Sequence, residues 1–262
     1  MKWTWADCSL KILATKTQKA QRFMINFLVT FVVMFIQFSL KLQSAFMLTI
    51  ETHCHTNASL DSRMKPEELL ASCRERGIDR VVVTDHWSLS GALAAKELDP
   101  QRVIVGEEVL TDKGELLAAF VTELIPRNTP YREAISRLRE QGAFIGVSHP
   151  FDPQRSRWTL EDMEELATLV DAIETFNSRN LSPRFNKEAA EFAHRFGLPG
   201  TAGSDAHTAD EVGHAVMRVP DFADADGLRS VIGQAEFKVE SSGPWVRLAS
   251  RWAKLGKMIV GK

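Results

Sequence analysis

The run Arg80-Val-Val-Val-Thr84 constrains the fold more than any other stretch of this chain. Three β-branched residues with no polar alternation suit a strand buried on both faces, and such strands belong chiefly to parallel sheets covered by helices. The pattern recurs. Phe46-Met-Leu-Thr-Ile50, Arg102-Val-Ile-Val105, residues 115–122, Ala143-Phe-Ile-Gly-Val-Ser148, Asp171-Ala-Ile-Glu-Thr-Phe176 and residues 198–202 read as six further strands. Helical signals fall between them. Residues 65–76 open on Pro66 and two glutamates and stop before Gly77. Thr129-Pro130 caps a second helix running to Gln141, Thr159 opens an acidic third through Leu169, and Ser182-Pro183 starts a fourth. That last helix places Phe185, Ala189, Phe192, Ala193 and Phe196 on one face. Seven strands alternating with helices predict an α/β fold, either a parallel barrel or an open doubly wound sheet. The length, 262 residues, is ample for one large domain or two small ones.

The net charge of −2 hides an asymmetry. Residues 1–46 hold six Lys/Arg against one Asp, and residues 244–262 hold five and no acid. Of 32 basic and 34 acidic residues, residues 47–243 therefore keep 21 and 33, a net of −12. Such a body does not attract long duplex nucleic acid by charge. Cys8, Cys54 and Cys73 show no paired or zinc-finger spacing and read as reduced thiols of a cytoplasmic protein. Residues 23–40 are uncharged and largely apolar, with Lys11, Lys16, Lys19 and Arg22 before them. They are read either as a membrane anchor with a cytoplasmic basic end or as a segment translated from too far upstream, Met47 being the true start. A cleaved signal peptide is a third reading. The expected organisation is thus a hydrophobic segment over 1–46, a catalytic body over 47–240 and a basic amphipathic tail over 241–262. The tail either packs on its own domain or meets a membrane or an acidic partner.

Ligand-type residues gather where strands end. His53 and His55 stand two apart after the first strand, so both imidazoles leave the same face. Two neutral imidazoles held that way can grip a divalent cation, although a surface or core pair has the same spacing. Asp61 lies on the following loop. The second strand runs into Asp85-His86, the third into Gly106-Glu-Glu108, the fifth into Ser148-His-Pro150 and the seventh into Gly203-Ser-Asp-Ala-His207. Barrels and open α/β sheets place their sites at these carboxyl ends. One such residue is ordinary packing; five strand ends carrying them point to metal. His194 and His214 fall outside the pattern and read as structural.

His53-Cys-His55, Thr84-Asp-His86, Gly106-Glu-Glu108, Ser148-His-Pro150 and Gly203-Ser-Asp-Ala-His207, in this order, resemble the PHP (polymerase and histidinol phosphatase) family. The resemblance spans roughly residues 47–215, and Asn57-Ala-Ser-Leu-Asp-Ser62 looks like that family's loop after its paired histidines. It implies a distorted seven-stranded barrel, two to three divalent metals (Mn²⁺, Zn²⁺ or Fe²⁺) and phosphoester hydrolysis by metal-activated water. Carried over by motif, His53, His55 and Asp205 would hold one metal, with Glu108 bridging to a second that His149 also binds. Asp61, His86 and His207 would hold a third, and Glu108 and His207 are the expected contributors to catalysis. Some members add a histidine between the third and fifth strands; none stands there in this chain, so the resemblance implies a second metal that is weak, more water-coordinated or reliant on the substrate. Of the neighbours Glu107 and Glu108, which face opposite sides of a regular strand, the motif selects Glu108.

Arg179 and Arg184 follow the sixth strand and are candidate phosphate ligands, with Arg155 and Arg157 as weaker ones. Two solvated arginines is the competing reading. The expected substrate is a small phosphomonoester, a nucleotide or the end of a short oligonucleotide. The competing functions are an amidohydrolase-type C–N hydrolase, against which the fourth strand lacks a lysine, and a metal-stabilised accessory domain without catalysis.

Overall fold

A computed structural model describes Met24, residues 27–34, residues 47–243, Ser250, Trp252, Ala253 and Lys257. The chain divides into two compact units, Met1–Phe46 and Met47–Lys262. In the first, Met24 and residues 27–34 are helical. Most of the expected anchor over 23–40 lies outside the described residues, as does Cys8. Among those described, no helix is long and apolar enough to cross a membrane.

The second unit is built on a sheet of nine strands: β1 Met47–Cys54, β2 Arg80–Val83, β3 Val103–Leu110, β4 Glu115–Ala119, β5 Phe144–Val147, β6 Ala172–Asn177, β7 Gly200–Gly203, β8 Ala215–Pro220 and β9 Glu236–Val239. Helices α1 Pro66–Glu75, α2 Ser90–Leu98, α3 Tyr131–Glu140, α4 Leu160–Leu166, α5 Pro183–Phe196 and α6 Ala225–Val231 lie between and after them. The order is β7-β6-β5-β4-β3-β2-β1-β8-β9. Beyond β7 the chain returns to the end of β1, where Cys54 bridges Ala206 in parallel fashion, and the sheet becomes a nearly closed barrel.

Two expectations need correction. The sheet has nine strands rather than seven, because β8 pairs antiparallel with the start of β1 and β9 pairs with β8. Nor is it wholly parallel, since β4 runs antiparallel to both β3 and β5. The reason is the length of β3, which continues past Val105 to Leu110. Only Thr111-Asp-Lys-Gly114 then remain before β4, and a parallel crossover needs a dozen residues or more. Those four close a tight turn, with Thr111 N donating to Gly114 O at 2.9 Å.

The all-apolar second strand is buried as its sequence demands. Val81 and Val83 face outward into a core with Leu69 and Leu70 of α1 and Ala92 and Ala95 of α2. Val82 faces inward to Ile50, Ile104, Phe144, Ala202 and Met217. A third cluster packs Leu116, Ile145 and Ile173 against Leu138 of α3, Met163 of α4 and Ala189 and Phe192 of α5. Each such side chain contributes about 1.5–3 kcal/mol on burial. Both sheet faces are therefore occupied, and polar side chains are left the barrel's open end.

Candidate metal centre

The site begins where β1 changes partners. Its register with β8 ends at Ile50, and from there its tail lies between β2 and the chain beyond β7. Asp205 N donates to His53 O and His55 N to Ala206 O, each at 2.8 Å, while Thr84 N donates to Cys54 O at 2.9 Å. His53 and His55 emerge fully buried, with their Nε2 atoms 3.1 Å apart. Gly203 makes this approach possible, since a Cβ there would stand 2.4 Å from the His53 Cβ.

Supporting residues fix the rings. Glu174 Oε1 lies 2.8 Å from His53 Nδ1; a carboxylate only accepts, so that nitrogen holds a proton and Nε2 is aimed at Glu108 and Asp205. His207 Nδ1 lies 2.8 Å from Asp205 O and 2.6 Å from Arg179 Nη1, and its Nε2 is turned toward Asp61. Asp85 accepts from Thr56 N (2.7 Å), Thr56 Oγ1 (2.6 Å) and Ser59 Oγ (2.7 Å). Ser62 Oγ donates to the carbonyls of His55 (3.1 Å) and His207 (3.0 Å). These bonds shape the loop that carries Asp61. The C-terminal tail reaches the same loop, Lys257 Nζ donating to Asn57 O, Ser59 O and Ser62 O at 2.8, 2.6 and 2.7 Å.

All eight ligand-type residues named from the sequence meet at this end of the barrel. Glu108 Oε2 is 3.1 Å from His53 Nε2 and 3.3 Å from His55 Nε2, and Asp205 Oδ1 is 3.4 Å from the latter. The other Glu108 oxygen sits 3.0 Å from His149 Nε2. Asp61 lies 3.7 Å from His86 Nε2 and 3.5 Å from His207 Nε2. Glu107, as the register requires, turns away and accepts from Ile125 N at 3.0 Å. His149 (φ 23°) and Asp205 (φ 54°) occupy the left-handed region, at a cost of about 1–3 kcal/mol each. Strain of this kind collects where a side chain must be aimed.

The carboxylates and imidazoles answer one another electrically. Burial opposes charge on His53, but Glu108, Asp205 and Glu174 outweigh it and hold the imidazolium well above its usual range. For His55, burial is likewise overcome by Asp205 and Glu108, which push it up to about 10. Glu108 and Asp205 are held far below the carboxylate range despite burial, chiefly by His53. Burial and the neighbouring His55 push His207 down to about 4, and His86 is lowered by burial too. At neutral pH His86 and His207 are therefore lone-pair donors.

This donor set fits divalent cations. Buried Asp61 Oδ1 and His86 Nδ1 make no hydrogen bond, and ligand atoms of His53, His55 and Glu108, and of His55, His86 and His207, lie within 4.8 Å of one another. Imidazole and carboxylate together suit Zn²⁺, Mn²⁺ or Fe²⁺.

Sequence reasoning missed Glu115. Its carboxylate lies 3.4 Å from His149 Nε2 and 4.0 Å from His86 Nδ1 and lines the same cavity of about 400 Å³. Glu115 begins an antiparallel strand and so stands apart from the carboxyl ends at which the other ligand-type residues gather. Arg155 also lines the cavity, bonded to Asp205, to Asp152 (3.0 Å) and to Asn180 (2.8 Å). Arg179 is a wall residue too, paired with Glu211 at 3.1 Å and donating to Ser250 Oγ at 2.6 Å. Arg184 is a correction. It sits in the first turn of α5, which aims it outward, 76% exposed and paired with Glu188 at 2.6 Å. Arg157 is exposed and is absent from that cavity's wall. His194 is exposed on α5, and His214 Nδ1 lies 3.0 Å from Ser242 Oγ.

A nearly closed α/β barrel with imidazoles and carboxylates converging at its open end defines the class: a barrel with the donor set of a multi-metal centre. Residues 51–165 match the family model for the PHP domain, and residues 183–236 match the PHP-associated model. An uncharacterised protein of Methanocaldococcus jannaschii is 35% identical over 176 residues, 65% of this chain and 70% of that protein. The chain belongs to the PHP family. Among solved structures, PsfC of Pseudomonas syringae superposes with a TM-score of 0.60 at 18% identity, over 80% of this chain and 98% of that one. A provisionally assigned metal-dependent phosphoesterase of Bifidobacterium adolescentis does so with 0.53 at 19%, over 69% and 94%. At these identities the likeness is one of fold.

Proposed function

We propose that this chain is a metal-dependent phosphoesterase acting on a small phosphomonoester, a nucleotide or the end of a short oligonucleotide. The observation that carries the proposal is a cavity of about 400 Å³ lined by Asp61, His86, Glu108, His149, Asp205 and His207, with His53 and His55 buried directly against Glu108 and Asp205, a volume suited to a small molecule. In this reading His53, His55 and Asp205 would hold one cation, Glu108 and His149 a second, and Asp61, His86 and His207 a third. Bound there, divalent cations supply Lewis-acid activation of water and neutralise phosphoryl oxygens.

The chain's own groups do the rest. Glu174 fixes the His53 tautomer, Arg155 holds Asp205, and Arg155 with Arg179 gives the cavity a cationic wall for an anionic substrate. Ser250 of the tail lines the same cavity and accepts from Arg179. The family membership and the phosphoesterase assigned to the same fold support this choice of bond. A C–N hydrolase draws no support from β4, which has no lysine.

The test is a substrate screen with the full chain, Mn²⁺ and then a chelator. Turnover of p-nitrophenyl phosphate or a nucleotide that stops on chelation is expected. Cleavage of amides without phosphoester turnover would favour the C–N hydrolase, and inertness of the fully metal-loaded chain the accessory-domain reading.

A further inference from the structure

Without a histidine between the third and fifth strands, the second metal is expected to be weak, more water-coordinated or reliant on the substrate. The fold answers that absence differently. Because β4 runs antiparallel, its first residue, not its last, reaches the open end of the barrel. Glu115 pairs in register with Leu110, two residues beyond Glu108 and on the same face, so its carboxylate lies over the site. Oxygens of Glu108 and Glu115 approach the same His149 Nε2, at 3.0 and 3.4 Å. Three adjacent strand segments thus aim one donor each at a common point.

The backbone that presents Glu115 is fixed on both sides. Ser148 N donates to Glu115 O at 3.1 Å, and Thr111 N to Gly114 O at 2.9 Å. Gly114 packs so closely on the Trp158 ring that a Cβ would stand 2.4 Å from it. Among the described residues the close ion pairs of Glu115 are with His86 and His149, and the Arg155 guanidinium acts on it from farther off. Glu108 and Glu115 bring two largely buried carboxylates to the same imidazole nitrogen, a mutual repulsion that a divalent cation between them would relieve.

We propose that Glu115 completes the second cation position, a site of two carboxylates and one imidazole that holds Mn²⁺ or Mg²⁺ better, relative to Zn²⁺, than the imidazole-rich position beside His53 and His55 does. The inference rests on the metal-dependent reading above. Oxygen donors suit these harder cations, whereas the position beside His53 and His55 is richer in imidazole and suits Zn²⁺ or Fe²⁺. The two neighbouring positions therefore differ in preference, with Glu108 shared between them.

The experiment strips the full chain with chelator, then measures Mn²⁺ and Zn²⁺ separately by equilibrium dialysis and elemental analysis. Wild type, Glu115→Gln and Glu115→His are compared, each checked for folding by its melting curve. Glu115→Gln should bind one Mn²⁺ fewer than wild type at concentrations that saturate wild type. Glu115→His should regain that equivalent as Zn²⁺, its Mn²⁺-to-Zn²⁺ preference displaced toward zinc by about 10-fold or more. Unchanged Mn²⁺ stoichiometry and affinity in Glu115→Gln, or unchanged preference in Glu115→His, overturns the inference while leaving the metal-dependent reading standing. A wild-type chain that binds neither metal overturns both.

Discussion

Glu107 and Glu108 are neighbours with opposite surroundings. Glu108 sits among four imidazoles; Glu107 is buried behind the sheet, with Ile125 N as its partner and Oε1 making no hydrogen bond. Glu108→Gln keeps the volume but removes charge shared between cations, so it should lose bound metal and at least about 10²-fold in kcat. Glu107→Gln should keep both, as elemental analysis and steady-state kinetics of the two variants will show. Glu107 also carries a pH signature, because burial pushes its carboxyl up to about 7. Its folded pKa lies above the unfolded value, so its contribution to stability is full below about 4.5 and is lost as pH rises through about 7. The expected loss is on the order of 3 kcal/mol by pH 8. Glu107→Gln should flatten the fall in Tm between pH 5 and 8; an unchanged slope would place the titration elsewhere.

At the scale of elements, what was legible followed apolar runs, and what was not followed tertiary pairing. β2, with three valines, needed only its own residues to be read. β3 was cut short at Val105 because its second half, Gly-Glu-Glu-Val-Leu, carries site and buried acids that break the apolar pattern. With its end misplaced the β3–β4 hairpin disappeared, and Glu115 with it. β8 and β9 were missed as well: β8 is defined by its pairing with β1, and β9 is an exposed strand whose Glu-Phe-Lys-Val gives no buried face. Arg184 failed for the opposite reason. Its place in the sequence was right, but the first turn of α5 points it at Glu188. His53 shows the same dependence on packing, since β7 supports it only through a residue without a side chain. Gly203→Ala should cost about 1–3 kcal/mol by overpacking and should weaken metal binding as His53 is displaced. Denaturant titration alongside elemental analysis checks both; wild-type metal content would show that the ring position does not depend on β7.

Among the described residues, the three core clusters fall within the second unit. Residues 47–262 are therefore expected to fold without residues 1–46, with a melting curve matching the full chain; an insoluble truncation would tie the segment to the fold. The same body keeps protons where cations are expected. His55, held up to about 10, and His53, held well above its usual range, are protonated at pH 7 until a cation displaces the protons. Metal binding should accordingly release protons and tighten with rising pH across pH 6–8. Calorimetry in buffers of different ionisation enthalpy reads this directly, and an equal heat in all of them would contradict it. Each site filled at 100 times its Kd adds about 2.7 kcal/mol, which for a unit of this size raises Tm by roughly 5–10 °C.

The central claim is that the cluster around Glu108 holds divalent cations which hydrolyse a phosphoester. Its most direct measurement is turnover of a small phosphomonoester by the full chain, followed together with bound metal during removal and return of Mn²⁺. The account predicts two to three bound equivalents, loss of activity in step with loss of metal, and recovery on reloading. Full activity in chain stripped of metal, or no bound metal after incubation with Mn²⁺ or Zn²⁺, would contradict it.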